Sequence, residues 1–352
     1  MASTDKASAR PAPTQKATRR RRPHRVLAVV GATLALATLV VGCSTGETVA
    51  NGNSKTVAFG HPASSSSIYP LLVQGAQEEA DRRGYDLLTS SANMDAGAQV
   101  DELNTWISQR IAGVIVAPVD TAGMAPIVQK AKTNDVRFLA YAAKSVPGAD
   151  GSVIFANREG GELVGAAAGE WVNAQLGGRA KVALLTDYDQ ETGKDRIDGA
   201  VEALRAAAPD IEVVATQEGL FADETLPIFQ SMLQAHPDIN VVFCMADDGC
   251  VGAEKAFLQT NPSEERKRLM YMAGWDGTLP VLEQIATGSS VIRATAVLDL
   301  VAIGRASIAA TVDAVEGGGD TEVVIPYELV GESNPQRAQE FVNTYDAILA
   351  AR

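Results

Sequence analysis

From Thr56 onward, short apolar runs alternate with longer stretches whose apolar positions recur every three to four residues. "TVAFG" precedes "PLLVQGAQEEADRRG", which stops at Gly84, a natural helix C-cap. The alternation continues through "YDLLTSS", "AGAQVDELNTWISQR", "AGVIVAP", "TAGMAPIVQKAKTN" and "VRFLAYA". A second series starts near Val153 with "SVIFAN", "GGELVGAAAGEWVNAQL" and "KVALLT". It runs on through "DRIDGAVEALRAA", "EVVATQE", "ETLPIFQSMLQAH", "NVVFCM", "GCVGAEKAFLQ" and "LMYMAGW". Short continuous apolar runs indicate strands covered on both faces. Repeated strand–helix units predict parallel sheets with helices on either side. The series restarts halfway and holds too many units for one small sheet, so two similar α/β lobes are expected.

The run "SSSS" at Ser64–Ser67 would ordinarily read as a flexible spacer. Here it lies between the first strand and the first helix, where open α/β sheets bind ligands at the carboxyl ends of their strands. It is therefore expected to be a ligand loop, with Ser66 and Ser67 able to cap the helix or face a ligand.

The first 42 residues differ from the rest. Five arginines between Arg19 and Arg25 precede the apolar run Val26–Val41, which is short for a membrane span, and "VVGC" follows. A basic region, an apolar core and small residues describe an export signal. The Cys after Gly42 makes the segment resemble a bacterial lipoprotein signal, cut before Cys43 and anchored through its lipidated thiol. A plain signal or membrane anchor is the alternative. Residues 1–42 hold eight of the 30 basic and one of the 43 acidic residues, which leaves 22 against 42, a net of −20. Such a surface repels nucleic acid and anionic lipid. Residues 43–54 are small and polar and read as a tether.

Cys244 and Cys250 are six apart, and either a disulfide or two buried thiols fits. No metal site is expected, because after residue 42 only His61 and His236 remain and no Cys/His cluster exists. No cofactor is implied. Nucleophile-elbow, phosphate-loop and zinc-protease motifs are absent, so an enzyme is not expected.

The stretches "GAQEEADRRGYDL", "QVDELNTWISQRIAGVIVAPVD", "DRIDGAVEAL", "AHPDINVVF", "DDGCVGAEKA" and "AGWDGT" stand in the order and spacing of a known family. From Thr56 to Gly331 the chain resembles the type I periplasmic sugar-binding proteins of the ribose-binding group. The resemblance implies two Rossmann-like lobes with parallel sheets, joined by a three-segment hinge. It places lobe one at 55–156 and 299–327, and lobe two at 157–298 and 328–352. It also implies a protein that closes on a solute and delivers it to the permease of an ATP-driven importer; with the lipoprotein-like signal, it is expected on the outer face of the cytoplasmic membrane. A component that reports its ligand to a sensor kinase is the alternative function.

Carried over residue by residue, the resemblance implies ligand contacts from Ser65, Ser66, Ser67 and Tyr69, and from Lys194 where the family has Arg. Phe221 takes an aromatic position, with Leu220 one residue before it, and Asp276 lies in "GWDGT". Family members often carry Asp-Arg where this chain has Ala142 and Ala143, followed by Lys144. A family Asn is Ala246, followed by Asp247, and a family Gln is Leu298, followed by Asp299. Ala142, Lys144, Asp247 and Asp299 complete the expected site. Losing hydroxyl-binding groups implies a different ligand from ribose or glucose. A small neutral polyol, cyclitol or unusual sugar fits acceptors and donors of both signs. A sugar acid held by the two lysines is the alternative ligand.

Overall fold

The computed structural model describes residues 54–63, 68–142 and 146–350. The expected alternation is present throughout. β1 (Thr56–His61), α1 (Tyr69–Arg83), β2 (Asp86–Ser91), α2 (Ala96–Ser108), β3 (Gly113–Val116), α3 (Ala125–Thr133), β4 (Arg137–Tyr141) and β5 (Gly151–Phe155) make the first series. The second begins with α4 (Asn157–Leu176), β6 (Arg179–Leu185), α5 (Glu191–Ala207), β7 (Asp210–Gln217), α6 (Ala222–Ala235) and β8 (Val241–Cys244). It continues with α7 (Asp247–Gln259), α8 (Glu264–Arg268), β9 (Tyr271–Asp276), α9 (Leu279–Thr287) and β10 (Ile292–Val297). α10 (Leu300–Glu316), β11 (Glu322–Ile325), β12 (Glu328–Gly331) and α11 (Pro335–Ala350) complete the chain.

Two six-stranded sheets result, ordered β2-β1-β3-β4-β5-β11 and β7-β6-β8-β9-β10-β12. The first sheet is parallel throughout. The second ends in an antiparallel edge, with Val297 opposite Glu328 and Ala294 opposite Gly331. That edge departs from the all-parallel expectation for a simple reason. Only Pro326 and Tyr327 separate β11 from β12, so no crossover helix can turn the chain back before it joins the other sheet. The chain passes between the sheets three times: at Ala156, at Leu298–Asp299 and at Pro326–Tyr327.

Central strands bury every residue, as in β3 and β8, and form a core of branched and aromatic side chains. α1 ends at Gly84 in the left-handed conformation (φ 71°), with its N–H on the carbonyls of Ala80 and Asp81. Its N-cap residue is Ile68; Ser66 and Ser67, the expected capping candidates, lie outside the described residues. α4 and α5 meet backbone to backbone. A Cβ on Gly161 would stand 2.2 Å from the Arg196 carbonyl oxygen, and one on Gly165 2.1 Å from that of Ala200. These glycines let α5 approach close enough to deliver Arg196 to the start of α4. Cys244, ending β8, is bonded to Cys250 in α7, which settles the open choice between disulfide and thiols.

Candidate functional site

The carboxyl ends of both sheets line one cleft of about 710 Å³, within the ~300–1,000 Å³ range of small-molecule sites. His61, Ala117, Tyr141, Ala142 and Phe155 come from strand ends of the first sheet. Met245, Ala246 and Asp276 come from strand ends of the second, with Arg196, Leu220, Phe221 and Asp248 from its helices and loops.

Arg196 is the centre of the polar wall. It is buried, and it donates to the Met245 carbonyl (2.6 Å), Tyr327 Oη (2.7 Å) and Asn157 Oδ1 (3.2 Å). Its Nη2 also lies 2.9 Å from Asp276 Oδ1. Tyr327 Oη donates to Asn157 Oδ1 at 2.8 Å, which closes the network. Burial alone would lower the guanidinium pKa, but Asp276 and Tyr327 outweigh it, and the group sits above the ordinary arginine value. Asp276 has φ 102°, a left-handed conformation rare outside glycine, and Gly277 follows at 71°. Such strain is kept where surrounding contacts enforce it and clusters at ligand sites. Here the Arg196 pair holds the carboxylate at the cleft. Burial, and then proximity to Asp276, raises the pKa of Asp248.

Leu220 and Phe221 are set by Glu224, whose Oε2 accepts from both backbone N–H groups (3.1 and 3.2 Å). On the opposite wall, His61 Nδ1 lies 2.5 Å from Tyr141 Oη.

Of the sequence-expected contacts, Ala142, Phe221 and Asp276 line the cleft. Others do not. Lys194 lies on the exposed face of α5 and pairs with Asp198 one turn on, because Arg196 occupies the buried face. Asp247 is fully enclosed: Thr278 N and Oγ1 donate to one oxygen and Thr295 Oγ1 to the other. Burial, reinforced by Asp276, holds its carboxyl well above the usual range. Its neighbour Asp248 faces the cleft instead. Asp299 caps α10 through the Ala302 N–H (2.9 Å) and is not among the lining residues. Tyr69 opens α1 with its ring 5.2 Å from that of His61, and Ile68 rather than Tyr69 lines the cleft. Cys43, Ser65, Ser66, Ser67 and Lys144 lie outside the described residues.

The sequence reading assigned Lys194 and Asp247 rather than their neighbours Arg196 and Asp248, and it did not single out Asn157, Tyr141 or Tyr327. Arg196 had a legible signal. Gly193, Arg196, Ile197, Ala200 and Leu204 share the inward stripe of α5, whereas Lys194 and Asp198 fall off it.

Asp187, Asp189 and Glu218 carry oxygens within 4.8 Å of one another at the rim. Asp187 accepts from the Asp189 N–H (2.9 Å) and the Gln190 side chain (2.8 Å), bonds that shape the turn leading into α5.

A family model for the periplasmic binding protein domain matches residues 57–319. The ribose import binding protein of Escherichia coli K12 is 26% identical over 247 residues, covering 69% of this chain and 80% of that protein. The xylitol-binding protein of Mycolicibacterium smegmatis is 24% identical over 255 residues, 72% and 70% of the two chains. Among solved structures, an ABC transporter solute-binding protein from Mycobacterium smegmatis with bound glycerol matches with a TM-score of 0.71 at 27% identity. That match spans 80% of this chain and 96% of that one. With two sheets, a cleft at their strand ends and a family match over most of its length, this chain belongs to the periplasmic binding protein family and is a binding protein, not an enzyme.

Proposed function

We propose that the chain is the extracytoplasmic solute-binding lipoprotein of an ABC importer, and that its cleft takes a small neutral polyhydroxylated ligand such as a polyol, cyclitol or unusual sugar. The observation that carries this is the composition of the cleft. An Arg196–Asp276 pair able to donate to and accept from hydroxyls stands beside Phe221, while Ala142 and Ala246 line positions where a ribose-type site places polar groups. The xylitol-binding relative and the glycerol-bound structure support the same ligand class.

The cleft disfavours a sugar acid. Among the described lining residues, Asp120, Asp189, Glu191, Asp248 and Asp276 face Arg196 as the sole basic group, and Lys194 points away. Lipid attachment through Cys43 would hold the domain at the membrane beside its permease. Mass spectrometry of the membrane-extracted protein checks it, and a mature form that keeps residues before Cys43 would refute it.

A thermal-shift panel of pentoses, hexoses, alditols, inositols and aldonic acids tests the ligand. A ligand at a hundredfold excess over Kd stabilises by about 2.7 kcal/mol, a readable shift. An alditol, inositol or uncommon sugar should give the largest shift. Stabilisation by ribose or glucose alone, or by aldonic acids, would overturn the reading.

A further inference from the structure

His61 and Tyr141 are buried at the ends of β1 and β4, line the cleft together, and share one short hydrogen bond. Phe59 stacks on Tyr141 at 4.9 Å and Tyr69 tilts against His61 at 5.2 Å, so both rings are fixed in place. Nothing in the hinge network uses them. They stand on the wall where Ala142 has replaced a family polar grip, one residue beyond Tyr141.

The proton inventory of such a pair is fixed. A phenol and a neutral imidazole hold two transferable protons, and the mutual bond uses one. If Tyr141 donates to Nδ1, then Nε2–H remains as an outward donor and the phenol oxygen as an acceptor. If Nδ1–H donates to the phenol, the hydroxyl becomes the outward donor and Nε2 the acceptor. Either tautomer leaves one donor and one acceptor, and a ligand can select between them.

We propose that the His61–Tyr141 pair is a specificity-determining contact of this cleft, reading two neighbouring hydroxyls of the ligand, one as acceptor and one as donor. The inference rests on the neutral polyhydroxylated ligand argued above. Burial pushes the His61 pKa down to about 4, so the imidazole stays neutral at physiological pH and offers no counter-charge to a carboxylate. A site built to pair a hydroxyl discriminates strongly against the analogue that lacks it.

The test uses calorimetry on the full mature chain with xylitol, myo-inositol, ribose and the deoxy counterparts of the last two, for wild type, Tyr141→Phe, His61→Gln and the double variant. Wild type should prefer a hydroxylated probe over its deoxy counterpart. Each single variant should bind that probe about tenfold more weakly and lose most of the preference. The double variant should be little weaker than either single one, because the pair acts as a unit. Variants that melt earlier yet keep wild-type affinity and preference would show a packing role only, and would overturn the proposal while leaving the ligand class intact. Wild type that binds none of the probes would overturn the ligand class and this inference with it.

Discussion

Replacing Arg196 with Met tests whether one guanidinium ties the cleft to the places where the chain changes sheets. Methionine keeps the length and apolar stem of the side chain and removes its hydrogen bonds to Met245, Tyr327 and Asn157. It also leaves Asp276, already at φ 102°, without its counter-ion. Breaking a buried ion pair by removing one partner costs about 3–5 kcal/mol, because the remaining charge is uncompensated. Asp276 is about one-fifth exposed, so water screens part of that charge and the lower end applies, about 3 kcal/mol. For domains of this size each kcal/mol lowers Tm by about 2–4 °C, so the melt should fall by about 6–12 °C. The double variant Arg196→Met/Asp276→Asn removes both charges and should recover about 1 kcal/mol or more of the loss, as expected for contacting residues. Ligand affinity should fall in the single and the double variant alike. Calorimetric melts and urea titrations of the three proteins provide the comparison. A single variant that melts within 2 °C of wild type would refute the argument, as would strict additivity of the two substitutions.

Two further outcomes follow from packing and charge. Gly161→Ala places a methyl against the Arg196 carbonyl, forces α4 from α5 and should cost about 1–3 kcal/mol; a neutral effect on the urea midpoint would contradict the backbone contact. Burial and the nearby Asp276 raise the pKa of Asp247, so the folded state keeps a proton that the unfolded chain releases. The stability this gives is present near the ordinary value of about 3.9 and is lost as pH rises through the folded pKa. Asp247→Asn should flatten that loss in melts between pH 4 and 8, and equal slopes in the two proteins would count against it.

Most of the fold was legible because strands buried on both faces leave unbroken apolar runs, and helices such as α5 leave a stripe. β12 was not, since four residues on a sheet edge carry too little periodicity to show direction. The site was less legible, for a different reason. Motif alignment assigns a role by position, whereas burial decides which of two neighbouring side chains turns inward. Lys194 and Arg196 are two residues apart and point to different faces of one helix. Asp247 and Asp248 are adjacent, and the first is consumed by Thr278 and Thr295 while the second meets the cleft. His61 and Tyr141 are 80 residues apart, and only the β1-β3-β4 order brings them together.

The contacts of the polar wall also reach every point where the chain changes sheets. Arg196 bonds Asn157 beside the first passage and Tyr327 within the third. The Asp276 carbonyl accepts from Leu298 N–H in the second at 3.4 Å. A ligand that engages Arg196 and Asp276 therefore acts on groups bonded to all three passages. Moving an open–closed equilibrium from 1:99 to 99:1 needs about 5.5 kcal/mol of differential affinity. Hydrogen bonds to charged groups contribute about 1.5–3 kcal/mol each, so two to four contacts made only in the closed form are sufficient. A ligand that touches one wall gains nothing from closure and shifts nothing. Glycerol, with three hydroxyls, offers fewer contacts to share between the two walls than a longer polyol, so it should bind more weakly and with less compaction. A polyol of five or six carbons should bind and contract the molecule in solution scattering. Equal compaction by saturating glycerol would show that closure does not depend on bridging the two walls.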